Sequence, residues 1–416
     1  MDLSRRDFLL GAALVPAARV PKPYFGLHPF IESHPKAVFI RRTRVPHMMD
    51  RQAKLREGIE LAREIFVPMD TPGVPVTHRV ILKPNWTTVF GRGRTVEQDW
   101  HTGTDPQFYE GLIVGLKELG IKDMYFIEAN GREAWNVRGL VDINDRYGVK
   151  MNECERSLRQ FQEGDGVTWS KVPDGVIYTR IPHYAPVNEP RTWMLNIAKW
   201  KTHTMCLTLS VKNEQGLTVT PYTRFCAGWN MVTGVPEFMK PDINPRAETL
   251  IRQFVERHKK TYSRYRSPEE TQAHGPTNQE IWAQKTCDNA SVLNTGLAMI
   301  EGIVSMGNTL FSGGTEHLTN LVMFSKDKFR LDVIGHWLGG HEPGNIHLFR
   351  IAKERGLTDT FNPWEIPVYE WVDGRAVERK LTDFERTPLP SGYLPLPGEP
   401  QFHLCNEPFD YDRYKV

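Results

Sequence analysis

Lysine, histidine and carboxylate side chains recur directly after short apolar runs that are typical of β-strands. Lys83 and Asn85 follow one such run, and Glu128 follows a second. Lys201 and His203 follow a third run and are two residues apart, a spacing that places both side chains on one side of an extended segment. A cation and an imidazole that face one cleft can hold an anion and exchange a proton with it. The pattern therefore predicts a site for acid–base chemistry on a small anion.

Further candidates come from later apolar runs. Lysines that lie close together lower one another's pKa, which makes one of them a candidate general base near neutral pH. Glu301 lies in an apolar stretch, where burial raises a carboxyl pKa, although a structural carboxylate paired with a cation fits the same position. Asp327 is expected to cap a helix, and Asp332 is expected to point at the cleft. The predicted catalytic residues are Lys201, His203, Lys212, Glu301 and Asp332.

The predicted connection from 84 to 105 is long for a strand-to-helix loop, because most such connections have about 2–6 residues and this one has about 20. A connection of this length is typical of a binding loop. Its arginines, together with the lysines, would make the rim of the cleft cationic and favour a carboxylate or a phosphate. The predicted substrate-binding residues are Lys83, Asn85, Arg92, Arg94, His101, Thr104, Glu128 and Asn213.

The elements around these residues predict an α/β fold. The apolar run at 79–83 indicates a strand, Asp105 and Pro106 begin an amphipathic helix, and the run at 124–127 indicates the next strand. A strand, a helix and a strand at this spacing form a βαβ unit. The chain is therefore expected to have a mainly parallel sheet flanked by helices.

The same fold class predicts where the polar residues meet. In open α/β sheets, ligands bind beyond the carboxyl ends of the strands. The polar clusters at Lys83, Glu128, Lys201 and Asp327 each lie next to a predicted strand. We expect all four clusters at one edge of the sheet, where they would line a shared cleft.

Changes in composition divide the chain. Charged helical patterns with few core-sized apolar runs indicate a helical insertion, and proline and aromatic residues near the end indicate an irregular C-terminal segment with a hairpin near Asp373. The predicted parts are a signal peptide at 1–18, the first part of the α/β core at 19–234, the insertion at 235–290, the second part of the core at 291–360 and the C-terminal segment at 361–416.

The overall composition excludes several classes of protein. Apolar residues make up 40% and charged residues 25% of the 416 residues, which excludes a wholly disordered chain and a collagen-like repeat. The 52 Lys and Arg against 50 Asp and Glu give a net charge of +2, which speaks against a nucleic-acid-binding protein. After the N-terminal segment, no apolar stretch approaches the about 20 residues of a membrane span. No membrane span is therefore expected in the mature chain.

The cysteines and histidines match no familiar cofactor motif. The chain has five cysteines and no CxxC, so c-type haem attachment and iron–sulfur clusters are not expected. An oxidising compartment would permit a disulfide, but the sequence does not define a pairing. The spacings of His336, His341 and His347 match no standard ligand pattern, so the sequence leaves a metal open without locating it.

The N-terminus resembles an export signal. Arg5 and Arg6 precede a short apolar run from Phe8 to Ala18, which is typical of a twin-arginine signal. A short helix with two solvated arginines is the alternative interpretation. The signal predicts export by the twin-arginine machinery and a periplasmic or extracytoplasmic location for the mature protein.

Several of these motifs resemble those of the family called domain of unknown function 362. The resemblance covers about residues 37–360 and weakens after Glu301, where an aspartate is usual. The family has no established general activity, and relatives with a ferredoxin module bind iron–sulfur clusters through cysteines that this chain lacks. The matching motifs are Lys83-Pro84-Asn85, Thr104-Asp105-Pro106, Lys199 with Lys201-Thr202-His203, and Lys212-Asn213 with Gly216.

The sequence supports two functional hypotheses. The first is an exported soluble enzyme that acts on a small anionic substrate in a cleft of lysine, histidine and carboxylate residues, with metal assistance left open. The second is a non-catalytic periplasmic binding or redox-accessory protein that holds an anion, a metal or a cofactor. If Lys201 and His203 face solvent in the cleft, replacing them should abolish activity or ligand binding and cost about 1 kcal/mol or less of stability.

Overall fold

The structure of the protein is a computed structural model. It describes residues 22–70, 72–86, 96–129, 132–152, 159–203, 206–223, 235–261, 276–309, 314–392 and 402–414. The predicted signal peptide at 1–18 lies outside the described residues, as do Arg92 and Arg94. The export signal and the binding roles of Arg92 and Arg94 therefore stay predictions.

The strands and helices are numbered in chain order. The strands are β1 (Tyr24–Leu27), β2 (Val38–Arg42), β3 (Phe66–Met69), β4 (Val74–Pro75), β5 (Arg79–Pro84), β6 (Met124–Phe126), β7 (Lys150–Met151), β8 (Val167–Lys171), β9 (Arg180–Tyr184), β10 (Thr192–His203), β11 (Cys206–Thr208), β12 (Leu297–Gly307), β13 (Thr315–Ser325), β14 (Val368–Val372) and β15 (Arg375–Arg379). The α-helices are α1 (Pro29–Ser33), α2 (Arg51–Ile65), α3 (Pro106–Glu118), α4 (Arg132–Asn136), α5 (Leu140–Tyr147), α6 (Ser210–Asn213), α7 (Thr220–Thr223), α8 (Ala247–Thr261), α9 (Pro276–Ser291), α10 (Lys328–Leu338) and α11 (His347–Glu354). Short 3-10 helices are Glu97–Thr102, Glu214–Leu217, Glu237–Asp242, Pro343–Asn345, Pro363–Glu365, Leu381–Asp383 and Asp412–Tyr414.

The main sheet has the strand order β15-β14-β2-β13-β12-β10-β5-β6-β7, and β11 pairs with β10 beside this path. Five neighbouring strands of this sheet run parallel to one another and form what we call the parallel block: β12, β10, β5, β6 and β7. Strand β13 is antiparallel to both β12 and β2, because it follows β12 after a short connection and a parallel return needs a longer crossover. The predicted α/β fold, with a mainly parallel sheet flanked by helices, is confirmed.

Side chains alternate in direction along each strand, and this alternation divides the hydrophobic core between the two faces of the sheet. On β2, Phe39 packs in one hydrophobic cluster, whereas Val38 and Ile40 pack in the other. The first cluster contains apolar residues of α2 and α3, and the second contains apolar residues of α9, α10 and α11. Because successive side chains of a strand point to opposite faces, one apolar strand can hold helices on both sides.

The predicted helix starts agree with the structure. The Asp105 side chain accepts hydrogen bonds from two backbone N–H groups at the start of α3, and Pro106 is the first residue of that helix. The Asp327 side chain likewise accepts from Phe329 and Arg330 at the start of α10. Aspartate and proline at these positions satisfy or avoid the free N–H groups of a first helical turn, and this local requirement is readable from sequence.

The prediction that Lys201 and His203 follow a strand is wrong. The next strand, β11, is short: it ends at Thr208, and α6 begins at Ser210. The cluster from Lys199 to His203 belongs to β10 itself and does not follow it. Strand β5 ends at Pro84, opposite Ile197, but β10 continues because β12 and β11 pair with its second half.

The later regions contain the expected kinds of element. Helices α8 and α9 lie in the region predicted as a helical insertion, and β14 and β15 form the predicted hairpin, which joins the main sheet through β2. The proposed domain boundaries themselves stay predictions. Among the described residues, no helix combines the length and the apolar character that crossing a membrane requires.

Candidate functional site

Strand β10 carries two buried lysines that point to the same side. Lys199 is fully buried and Lys201 is 3% exposed. Strand β11 covers this half of β10, with Thr208 opposite Lys201. The expectation that Lys201 faces solvent is therefore wrong. Each ammonium sits in an interior where a charge needs partners to offset its lost hydration.

Lys83 joins three other predicted residues in one hydrogen-bonded group. Its Nζ donates to Glu128 Oε2 at 2.7 Å and to Asn213 Oδ1 at 3.1 Å. Asn85 Nδ2 donates to the same Asn213 oxygen at 3.1 Å. Asn213 Nδ2 in turn donates to the carbonyl oxygen of Lys83 at 3.0 Å. Three motifs that are far apart in the sequence therefore meet at the carboxyl end of β5.

Gly216 explains why a glycine follows Lys212-Asn213 at this spacing. A Cβ at Gly216 would collide with the Glu128 carboxylate and would lie 2.9 Å from Lys83 Nζ. Helix α6 and the 3-10 helix after it bring Asn213 and Gly216 to the same ion pair. The missing side chain lets the backbone pass directly beside that pair.

Lys199 has an anionic partner on the neighbouring strand. Its Nζ lies 2.7 Å from Glu301 Oε2, and both side chains are fully buried. The Glu301 carboxylate also accepts from the backbone N–H groups of Asp105 at 3.1 Å and Ile303 at 2.9 Å. Burial lowers the pKa of Lys199, and Glu301 acts in the opposite direction. This geometry supports the interpretation of Glu301 as a paired structural carboxylate.

Lys201 lies among charges of its own sign. Its Nζ donates to the Thr102 carbonyl oxygen at 2.5 Å. Burial holds the pKa of Lys201 well below its ordinary value, Lys212 and Arg138 lower it further, and Glu128 raises it. A lysine in these surroundings releases its proton more easily than an exposed lysine, and an anion bound nearby would favour the ammonium again.

Arg138 is a buried cation that the sequence analysis missed. Its Nη1 donates to the Trp100 carbonyl oxygen at 2.9 Å, and its guanidinium lies 3.8 Å above the Trp86 ring. A Cβ at Gly103 would lie 2.9 Å from Arg138 Nη2, so this glycine also makes room for the guanidinium. Arg138 precedes α5 and belongs to no motif after a strand, so no sequence signal marked it.

We call the following set the basic cluster: Lys83, Asn85, Glu128, Arg138, Lys201, Lys212 and Asn213. It has four cationic side chains and one carboxylate. Lys212 is half-buried, as is the adjoining Gly216, so the cluster reaches the protein surface there. Asn85 Oδ1 is buried, and no donor for it lies in the part of the chain that the structure describes. Because buried acceptors are almost always satisfied, this oxygen is a place for a ligand donor group.

Two predicted binding residues, His101 and Thr104, hydrogen-bond within the protein instead. His101 Nδ1 lies 2.9 Å from Glu316 Oε1. The Thr104 hydroxyl donates to the Ile197 carbonyl oxygen at 2.7 Å and accepts from the Asn85 backbone N–H at 2.8 Å. Both side chains are buried and fix the loop before α3 against the sheet. They position the backbone whose carbonyl groups face Lys201 and Arg138.

Asp332 lies apart from the basic cluster. Its carboxylate accepts from the backbone N–H groups of Ser210 at 2.8 Å and Val211 at 2.9 Å, and burial raises the pKa of Asp332 to about 7. Because β13 is antiparallel, its last residue Ser325 pairs with Ala298 at the amino end of β12. We expected the polar cluster at Asp327, which includes Asp332, to lie at the carboxyl edge of the parallel strands. That expectation is therefore wrong. Asp332 instead fixes α6, which carries two members of the basic cluster.

His203 is buried at the end of β10 and pairs through its backbone with Cys206. Cys206 lies close to two other side chains that can bind metals, His341 and Cys405. The three ligand atoms are all within 4.8 Å of one another. In the sequence, His341 stands out only beside His336 and His347, because spacing rules do not connect residues as far apart along the chain as Cys206, His341 and Cys405.

These observations define an α/β protein with a buried basic cluster beside the longest strand of its parallel block. The chain belongs to the family described as domain of unknown function (DUF362), whose model matches residues 80–336, more than half of the chain. The matched range includes every member of the basic cluster. A search of the curated proteins and a search of the solved structures each found no match.

Proposed function

We propose that this protein is an exported enzyme that binds a small carboxylate or phosphate in the basic cluster and uses Lys201 for proton transfer. One observation carries the proposal: Lys201 is buried beside Lys212 and Arg138, so burial first and the nearby cations second hold the pKa of Lys201 well below its ordinary value. A neutral amine at working pH is a general base, and cations around it attract an anionic substrate.

The geometry supports a division of roles. The half-buried Lys212 offers the first contact for an anion from solvent. The ion pair of Lys83 and Glu128 fixes Asn213, and Asn85 Oδ1 can accept from a hydroxyl or N–H group of the substrate. Lys201, once deprotonated, would take a proton from the substrate, and the resulting ammonium would stabilise the new negative charge. His203, two residues further on β10, is the second candidate for proton transfer.

The location rests on the N-terminal sequence. Arg5 and Arg6 before the apolar run support export through the twin-arginine machinery. Replacing both with lysine is expected to leave the precursor in the cytoplasm, which fractionation of the host cells would measure. Export of the double variant through the same machinery would contradict the assignment.

Anion binding can be tested by isothermal titration with inorganic phosphate and with short dicarboxylates. Each titration is repeated in two buffers that differ in ionisation enthalpy, so that proton uptake is measured with affinity. We expect binding near neutral pH to take up a proton, because the anion restores the Lys201 ammonium. Lys201→Met should remove the proton uptake and weaken binding at least about tenfold, which is 1.4 kcal/mol.

The matched control is Lys122→Met. Lys122 is exposed and precedes β6, at the opposite end of that strand from Glu128, so its replacement should leave affinity and proton uptake unchanged. Equal affinity in Lys201→Met and the parent protein would contradict the proposed site. Turnover of phosphate or carboxylate substrates that disappears in Lys201→Met would support an enzyme, whereas tight binding without turnover across the panel would assign the protein to the binding class.

A further inference from the structure

A group of thiol and imidazole side chains lies next to the end of β10. Cys206 begins β11, His341 follows α10, and Cys405 lies in the C-terminal segment. Their ligand atoms are all within 4.8 Å of one another. A tetrahedral zinc ion has Zn–S distances of about 2.3 Å and Zn–N distances of about 2.1 Å, so its ligand atoms are about 3.5 Å apart. Small side-chain movements would bring the three atoms to that separation.

The hydrogen bonds of His341 fix which ring nitrogen carries the proton. Its Nε2 lies 2.9 Å from the Leu389 carbonyl oxygen, which can only accept, so Nε2 carries the proton. Nδ1 therefore has the lone pair, which accepts a hydrogen bond from the Cys405 backbone N–H at 3.1 Å, and a bound metal ion would take that lone pair in place of this hydrogen bond. Histidine ligands of metals characteristically donate their other N–H to a carbonyl or a carboxylate, which holds the ring in place. His341 already has this arrangement.

Two further features fit a binding site. His403 Nε2 lies 3.6 Å from Cys405 Sγ, so a second imidazole lies beside one of the two sulfur atoms and is a candidate fourth ligand. Cys206 has a φ of 73°, in the left-handed region that residues other than glycine seldom adopt. Such backbone conformations are concentrated at functional sites, where the surrounding structure maintains them.

We propose that Cys206, His341 and Cys405, completed by His403, bind a thiolate-preferring metal ion, with zinc as the best match. Two thiolates and two imidazoles form a standard tetrahedral zinc set, and sulfur ligands select against magnesium and calcium. Binding requires both sulfur atoms as thiolates, so each thiol that is protonated in the free protein releases its proton to solvent. The ion would join the C-terminal segment to the β10–β11 hairpin and to the end of α10. This proposal does not depend on anion binding by the basic cluster.

The test uses the purified full chain, reduced and stripped of metal with a chelator. Zinc is added back and counted by elemental analysis, and cobalt is added in parallel as a spectroscopic probe. We expect one zinc per chain, and cobalt absorption that includes thiolate-to-metal charge transfer and the bands of a tetrahedral ion. Hydrogen exchange of residues 402–414 should slow when zinc binds, since the ion holds that segment in place.

Loss of a residue that only hydrogen-bonds to a metal ligand weakens metal binding about 10–100-fold. The variants Cys206→Ser and Cys405→Ser each remove a ligand itself, so each should weaken zinc binding by more than this. Cys287→Ala is the matched control, because Cys287 is buried in α9 outside this group. Zinc that remains bound in both serine variants would overturn the proposal. So would a protein that carries a Cys206–Cys405 disulfide and takes up no zinc or cobalt after reduction.

Discussion

Lys199 and Lys201 lie two residues apart on one strand, and both are buried, yet their surroundings differ. Lys199 meets Glu301 directly; burial lowers the pKa of Lys199, and the carboxylates of Glu301 and Asp105 act against that shift. Lys201 meets a backbone carbonyl oxygen; burial lowers the pKa of Lys201, and the cations Lys212 and Arg138 lower it further. The first environment gives the buried cation a carboxylate partner, whereas in the second the cations outnumber the one carboxylate, Glu128.

The difference supports a structural role for Lys199 and the proposed functional role for Lys201. A buried cation with a well-placed carboxylate can remain charged at moderate cost, but breaking such a pair leaves an uncompensated charge in the interior. A buried cation beside other cations destabilises the folded state unless something else offsets it. Sites that bind anions or transfer protons are places where such an arrangement is useful. The comparison therefore assigns Lys199 to the fold and Lys201 to the proposed site.

The largest expected effect is on the paired lysine. Lys199→Met leaves the Glu301 carboxylate buried without its cation, and we expect the free energy of unfolding to fall by about 3–5 kcal/mol. Chemical denaturation at neutral pH would measure this loss. The double variant Lys199→Met/Glu301→Gln should recover much of it, because the amide can still accept from backbone N–H groups. Equal losses in the single and double variants would mean that the charge pair is not what stabilises this position.

A smaller effect is expected at Gly216. Gly216→Ala places a methyl group against the Glu128 carboxylate and close to Lys83 Nζ, and such overpacking costs about 1–3 kcal/mol. The double variant with Glu128→Asp should lose less than the sum of the two single variants, because the shorter carboxylate retreats from the new methyl group. Additive losses would show that the glycine and the ion pair are independent.

The smallest expected change in stability, and one of opposite sign, is at Lys201. Its pKa is lowered in the folded state, so between that lowered pKa and the ordinary value of 10.5 the unfolded chain binds more protons than the folded one. Stability of the parent protein should therefore rise with pH across this window. Lys201→Met should be more stable at neutral pH by about 1 kcal/mol, and the difference should shrink as the pH approaches 10.5.

Denaturation of both proteins at a series of pH values would measure that difference, with Lys122→Met as the exposed control. A loss of stability in Lys201→Met like that of Lys199→Met would remove the contrast between the two lysines. The earlier expectation of a small cost at a solvent-facing residue is replaced by this gain, because the structure buries Lys201.

Much of the fold could be predicted because its signals are local. Asp105 with Pro106 marks the start of α3, and the apolar runs of β2, β5 and β6 are compact and separated by helices. The meeting of Lys83 and Glu128 was also predictable in outline, because Lys83 lies near the carboxyl end of β5 and Glu128 follows the neighbouring parallel strand β6. Asn213, which ends α6, joins them from the segment after β11. These inferences need only the residues near each element and one general rule about parallel sheets.

The parts that failed depend on contacts between distant residues. Polar residues at the end of an apolar run usually mark the end of a strand, but β10 continues through Lys201 because β12 and β11 supply its hydrogen bonds. The direction of β13, which moves Asp332 away from the cleft, follows from a pairing that single-strand patterns do not contain. The position of Arg138 near Lys201 and the proximity of Cys206 to Cys405 are established only when the chain folds.

The irregularity in β12 has a consequence for how this strand could be redesigned. Lys199 faces Glu301, but Lys201 faces Met306, because the pairing of β10 with β12 shifts between them. The shift sets the two halves of β12 out of phase, so each half contributes its own neighbours to β10. An engineer could therefore vary Met306 to retune the surroundings of Lys201 without touching the pair that secures Lys199.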